Sequence, residues 1–243
     1  MTQPAFVLVR PQMGENIGAS ARAMLNFGLT HMTLVAPRDG WPNPAAVAMA
    51  SGAGSVLDQA RLCSDLPEAL EGAHYVMATT ARQRDLTKPV LSPEAAMREA
   101  ARRIAQGDRV AMLFGPERAG LENDDVARAN ALVSVPVNPD FPSINLAQCV
   151  LLCAYEWRRL TTEVVGEETE LAGTQWASND EIEALAAHYE TRLESAGFFF
   201  PEDKAPGMKI NLRNLWSRMP LTRADVQSLH GIMRQMVRWK ERG

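Results

Sequence analysis

Five short apolar runs, Ala5–Val9, Met32–Val35, His74–Ala78, Val110–Phe114 and Leu132–Val135, alternate with stretches of helical periodicity up to Leu160. Such runs are apolar on both faces, and strands of that kind are stable in a parallel sheet covered by helices. The intervening helix candidates lie near Ile17–Phe27, Pro44–Met49, Pro93–Ala105 and Asp124–Ala129, with a longer one from Ile144 to about Leu160. The expected fold class is therefore α/β, a parallel sheet with helices on both faces. Sheets of this type bind ligands beyond the carboxyl ends of their strands. That places candidate sites in the loops after Val9, Ala78, Phe114 and Val135.

The alternation stops at residue 160. A polar stretch, Thr161–Ser178, carries Gly166, Gly173 and several acids and reads as a linker. After it come a helix over Asn179–Ser195 opened by an Asn cap, an irregular segment over 197–207, and two further helices, Lys209–Ser217 and Arg223–Lys240. The chain thus divides into a sheet domain over 1–160, a linker over 161–178 and a helical extension over 179–243.

Charge sharpens this division. The sum is −4, from 25 Lys and Arg against 29 Asp and Glu, which disfavours indiscriminate binding to polyanions. Its distribution is uneven: nine acids and one base lie between Glu163 and Glu194, and nine bases and two acids between Lys204 and Gly243. The basic tail fits two readings, a solvated helical surface that neutralises the acidic segment, and a face for nucleic acid. Three cysteines without regular spacing build no disulfide framework, so a reducing, cytoplasmic setting is expected. Cys149 and Cys153 stand one helical turn apart, but no nearby Cys or His completes a metal set, and both read as core residues. No run is long and apolar enough for a membrane span.

Three loops carry the residues from which a site could be made. In "RPQMGENIGASARAM", Asn16 can cap a helix from Ile17, Gly18 lets a backbone or ligand approach its first turn, and Arg22 follows one turn later. The glycine spacing does not match a dinucleotide fingerprint. In "FGPERAGL", the strand ending at Phe114 leaves the core at Gly115-Pro116, and Glu117 and Arg118 present an acceptor and a donor. In "VPVNPDFPSINLAQC", Pro136, Pro139 and Pro142 stiffen a loop that delivers Ser143 and Asn145 to the start of an apolar helix. That helix carries Ile144, Leu146, Val150, Leu151, Leu152, Tyr155 and Trp157, and must bury itself in the core or against a second subunit.

Taken in order, Asn16-x-Gly18-x-x-x-Arg22, Phe114-Gly115-Pro116-Glu117-x-x-Gly120-Leu121 and Pro136 through Ser143-Ile144-Asn145-Leu146-Ala147 resemble the three motifs of the SPOUT superfamily, in its TrmH/SpoU branch of RNA ribose 2′-O-methyltransferases. The tail, with "YETRLESAGFF" followed by Lys209–Arg218, is similar to the extension of a group of tRNA (cytidine/uridine) 2′-O-methyltransferases acting at position 32 of the anticodon loop. The resemblance implies a deep trefoil knot in the C-terminal part of the sheet domain, S-adenosyl-L-methionine as methyl donor, tRNA as substrate, and a homodimer without membrane or metal. It also implies cofactor-binding roles for Thr79, Thr80, Ala81, Gly115, Glu117, Val135, Pro142, Ser143 and Ile144, and catalytic roles for Arg22, Asn16, Ser143 and Asn145. Pro142 departs from the small polar residue often found there. A guanidinium almost never deprotonates, so Arg22 suits a charge-stabilising role and Asn16 an orienting one. The competing expectations are a catalytically idle RNA-binding protein on the same fold, a 2′-O-methyltransferase acting on rRNA, and an unrelated small-molecule α/β enzyme. The last lacks a phosphate loop, a nucleophile elbow and a metal cluster.

Overall fold

The computed structural model describes residues 2–81, 87–163, 166 and 169–242. They form two compact units with a boundary between residues 164 and 165. Of the linker expected over 161–178, residues 164, 165, 167 and 168 lie outside the described residues.

The first unit begins with β1 (Ala5–Val9), α1 (Gly14–Asn26) and β2 (Met32–Val35), followed by α2 (Pro44–Ala50) and α3 (Gly54–Asp58). It continues through β3 (Arg61–Cys63), α4 (Leu66–Ala69), β4 (Tyr75–Thr79) and β5 (Val90–Leu91) to α5 (Pro93–Ala105). It closes with β6 (Val110–Phe114), α6 (Asn123–Ala127), β7 (Ala131–Val133) and α7 (Leu146–Thr161). The strands form one seven-stranded sheet in the order β3-β2-β1-β6-β4-β7-β5, and every pairing is parallel.

Strand alternation explains the layers. Phe6 and Leu8 of β1 share one core with Met77, Met112 and Phe114 and with Met24, Ala46, Met97 and Val150 from α1, α2, α5 and α7. Val7 and Val9 point to the other face, where Ala78, Ala111 and Leu113 meet Leu66 of α4 and Val126 of α6. Each central strand is therefore buried on both sides, and its side chains divide between two helix layers.

Several boundaries differ from expectation for local reasons. The helix expected from Ile17 starts at Gly14, and the one expected from Ile144 starts at Leu146, because Asn145 is the residue that caps it. The strands β3 and β5 and the helices α3 and α4 had no separate place in the sequence reading. With two to five residues each, they are too short to show a period.

The second unit contains α8 (Asn179–Ser195), α9 (Ala205–Ser217) and α10 (Arg223–Arg242). The cap of α8 is Ser178 rather than Asn179: its hydroxyl accepts from Glu181 N while Glu181 reaches back to Ser178 N. The segment expected to be irregular ends sooner, because Pro206 sits in the first turn of α9, where a missing N–H costs nothing. The buried core of this unit is small: Leu185, Ala186, Trp216, Leu221 and Val226.

Candidate active site

The carboxyl ends of β4, β6 and β7 border a cavity of about 410 Å³. Gly115 shapes its floor. A Cβ there would fall 2.3 Å from Leu121 N and 2.6 Å from Gly120 C, so only glycine lets the chain fold back against itself at this strand end. Gly120, at φ +66°, completes the reversal, and its N–H donates to Pro116 O at 2.9 Å. On the next strand Thr79 Oγ1 donates to Leu113 O at 2.9 Å, which fixes the Thr79–Ala81 edge.

A chain of polar contacts joins the loops around this cavity. Glu117 Oε2 accepts from Gln12 N at 2.8 Å, and its Oε1 from Met13 N at 3.1 Å and from Asn16 Nδ2 at 2.8 Å. Asn16 Oδ1 in turn accepts from Asn145 Nδ2 at 3.0 Å. Asn145 Oδ1 then caps α7, accepting from Ala147 N at 2.8 Å and Gln148 N at 3.3 Å. Glu117 thus places a carboxylate at the positive N-terminal end of α1, whose own Met13 cap has no side-chain bond to offer. Asn16 is not the cap the sequence suggested. It lies inside the first turn, where its amide relays between Glu117 and Asn145.

Two further features brace this rim. Arg10, at φ +48°, leaves β1 and forks onto the buried carboxylate of Asp125. That hydrogen bond holds the guanidinium above its ordinary pKa. Gly18 serves packing between helices rather than a ligand: a Cβ there would meet Ala46 O of α2 at 2.2 Å.

All nine residues with expected cofactor roles line the cavity: Thr79, Thr80, Ala81, Gly115, Glu117, Val135, Pro142, Ser143 and Ile144. Asn16 and Asn145 stand behind them in the polar chain. Arg22 is exposed on α1, does not line the cavity, and has no hydrogen bond or ion pair with the described residues. Among the described residues nine more complete the lining, two of which, Leu146 and Cys149, extend the apolar wall from α7. Their spacing of one helical turn, next to the capping Asn145, was the available signal. Cys153, one turn further, is fully buried, and pairing with Cys149 together with burial pushes its thiol well above the ordinary range. No cluster of three metal-binding side chains exists among the described residues.

The shape and donor set suit a nucleoside-like ligand. The volume falls in the range of pockets that enclose such molecules, roughly 300–1,000 Å³. The backbone N–H groups of Val135, Ser143 and Ile144, residues of the cavity lining, have no partner among the described residues.

The SpoU rRNA Methylase family model matches residues 3–155. The chain is similar to the tRNA (cytidine/uridine/adenosine-2′-O-)-methyltransferase TrmJ of Pseudomonas aeruginosa, at 37% identity over 235 residues, covering 93% of this chain and 91% of that protein. Escherichia coli TrmJ, a tRNA (cytidine/uridine-2′-O-)-methyltransferase, is 36% identical over 232 residues, 94% of this chain and 92% of the relative. Among solved structures, TrmJ from Z. mobilis superposes with a TM-score of 0.84 at 48% identity, covering 96% of this chain and 98% of that one.

Proposed function

This chain belongs to the SpoU rRNA Methylase family, and from that premise we propose that it transfers a methyl group from S-adenosyl-L-methionine to a ribose 2′-OH of tRNA, at position 32 of the anticodon loop. The observation that carries the proposal is the cavity at the ends of β4, β6 and β7, with the Glu117–Asn16–Asn145 chain binding its three loops into one body. When bound there, the cofactor would supply the methyl of its sulfonium; as the ribose oxygen takes that methyl, the sulfur would leave as a neutral thioether and the hydroxyl proton would pass to water. Thr79–Ala81, Gly115, Val135 and Pro142–Ile144 hold it largely through backbone groups. Ser143, at the cavity wall, orients the ribose hydroxyl, with Asn145 fixing the loop that carries it.

Arg22 is the cation of α1, without an ion pair among the described residues. Its guanidinium holds the phosphate beside the target ribose and stabilises negative charge as it develops on the 2′-oxygen, an interaction stronger in the transition state than before it. Asn16 sets the first turn of the same helix. The helical unit, with its basic α9 and α10, contributes tRNA binding and dimer support. The apolar face of α7 that leaves Leu151, Leu152 and Tyr155 more than a third exposed is the homodimer face. The trefoil knot and a cytoplasmic location belong to the same reading.

The test combines calorimetric titration of the full chain with S-adenosylmethionine and single-turnover methyl transfer to tRNA transcripts, with the product mapped for ribose methylation. Cofactor binding and a single 2′-O-methyl group at position 32 are expected. Cofactor binding without methyl transfer to any RNA would leave the idle RNA-binding protein as the better reading; methylation of rRNA alone would move the substrate.

A further inference from the structure

Arg118 is the charged residue of the cavity that the three-motif reading leaves without a role. Among the described residues that line the cavity only Glu117 and Arg118 are charged. Both carboxylate oxygens of Glu117 are committed to Gln12 N, Met13 N and Asn16 Nδ2. Arg118 is exposed at the rim and has neither a hydrogen bond nor an ion pair with the described residues. The other linings are apolar side chains, Thr and Ser hydroxyls and backbone.

The position of Arg118 is set by the turn that bears it. Residues 117–119 form the apex, Gly120 N bonds Pro116 O at its base, and Gly115 lies against the Leu121 backbone. The side chain therefore starts from a fixed point on the cavity mouth rather than from a loose loop. A guanidinium offers a planar fork of donors that matches a carboxylate with two parallel hydrogen bonds.

The proposed methyl donor carries two cationic centres, its sulfonium and its ammonium, and one anion, the methionyl carboxylate. An apolar wall with backbone donors suits the adenine, and the polar amino-acid end belongs at the open mouth. We infer that Arg118 binds the carboxylate of the cofactor's methionyl group and so selects the intact amino acid over analogues without that group. The inference rests on the cofactor assignment made above and specifies the ligand end that faces the 117–119 turn.

The experiment is a two-by-two titration. Wild type and Arg118→Gln, both as full-length protein, are titrated with S-adenosylmethionine and with decarboxylated S-adenosylmethionine. Wild type is expected to bind the intact cofactor about tenfold more tightly than the decarboxylated one, on the scale of a partly exposed charged hydrogen bond. In Arg118→Gln that preference should vanish through loss of affinity for the intact cofactor alone. Arg118→Lys should recover part of it, because a point charge replaces the fork. A similar loss for both ligands would assign Arg118 to the shape of the loop, and no loss for either would remove it from the site; both results overturn the inference. Failure of wild type to bind either ligand would instead overturn the cofactor assignment, and with it this inference.

Discussion

Both units carry surface ion pairs, but the polar contacts that tie distant segments together differ in kind between them. In the sheet unit a carboxylate reaches across 105 residues of sequence to the backbone of Gln12, and a chain of amides continues to the cap of α7. In the helical unit the charged pairs lie on the surface: Lys209 with Glu194 and Glu190, Arg213 with Glu183 and Glu190, and Arg223 with Glu181. Solvent and salt screen pairs of that kind, so each contributes little to stability. The first arrangement fixes positions to within a hydrogen bond, as chemistry at one atom requires. On the proposed reading, the second leaves cations exchangeable between carboxylates and phosphates, as a surface for a long polyanion would require.

The sharpest way to break this contrast is through the small core. Trp216 is buried to 7% exposure, packs edge-on to Tyr189 with ring centroids 5.0 Å apart, and is one of five buried residues holding the helices together. Trp216→Ala is expected to cost the helical unit about 3–5 kcal/mol, the range for large aromatic truncations. Hydrogen exchange should then show α8–α10 unprotected and the sheet unit unchanged, with cofactor affinity retained. Loss of cofactor binding in this variant would show that the two regions do not divide labour as described.

Arg22→Ala comes next. It is expected to slow single-turnover methyl transfer by at least ~10²-fold, the scale for one preorganised electrostatic donor, while leaving cofactor affinity near wild type because Arg22 lies outside the cavity. Wild-type rates would return Arg22 to an ordinary exposed cation. Asn145→Ala should be milder in stability, about 1 kcal/mol for a lost N-cap. The informative partner is Asn145→Asp, which keeps an acceptor for Ala147 N and Gln148 N but cannot donate to Asn16. Thermal unfolding should recover in Asp while methyl transfer stays slow; equal recovery of both would make the amide chain a scaffold only.

These contacts also mark the limit of what the sequence reveals. The apolar runs that became β1, β2, β4, β6 and β7 were legible because burial on both faces leaves an unbroken signature, and the turn at Gly115 because glycine and proline punctuate a chain locally. The three loops were legible as motifs, and with them six of the residues that line the cavity, Gly115, Glu117, Val135, Pro142, Ser143 and Ile144, while Thr79–Ala81 followed from the resemblance. The partners of Glu117 were not: Gln12 and Met13 offer only backbone N–H groups, which every residue but proline possesses. Asn16 has the look of a cap for the same reason, since the group that satisfies the start of α1 comes from another loop. Arg10 and Asp125, separated by 115 positions, carry no local mark of their pairing.

The smallest expected effect tests the looser unit by pH. His188 Nδ1 and His230 Nδ1 approach to 2.8 Å between α8 and α10, with the rings stacked at a centroid distance of 5.0 Å. A hydrogen bond between two such nitrogens needs one to donate and the other to accept, so at least one ring must be neutral. Burial first, then the facing His230, Arg192 and Arg234, hold His188 below its ordinary pKa. With the unfolded value near 6.5, both states are neutral at higher pH and the full stability is present. As pH falls, the unfolded chain takes up the proton before the folded one does, and stability is lost until the folded value is passed. Protection of α8 and α10 amides, corrected for intrinsic exchange, should therefore decline as pH falls through the unfolded value while that of the sheet strands holds. His188→Gln should flatten the decline. An equal slope in that variant would assign the pH response to other groups and leave the histidine pair as packing alone.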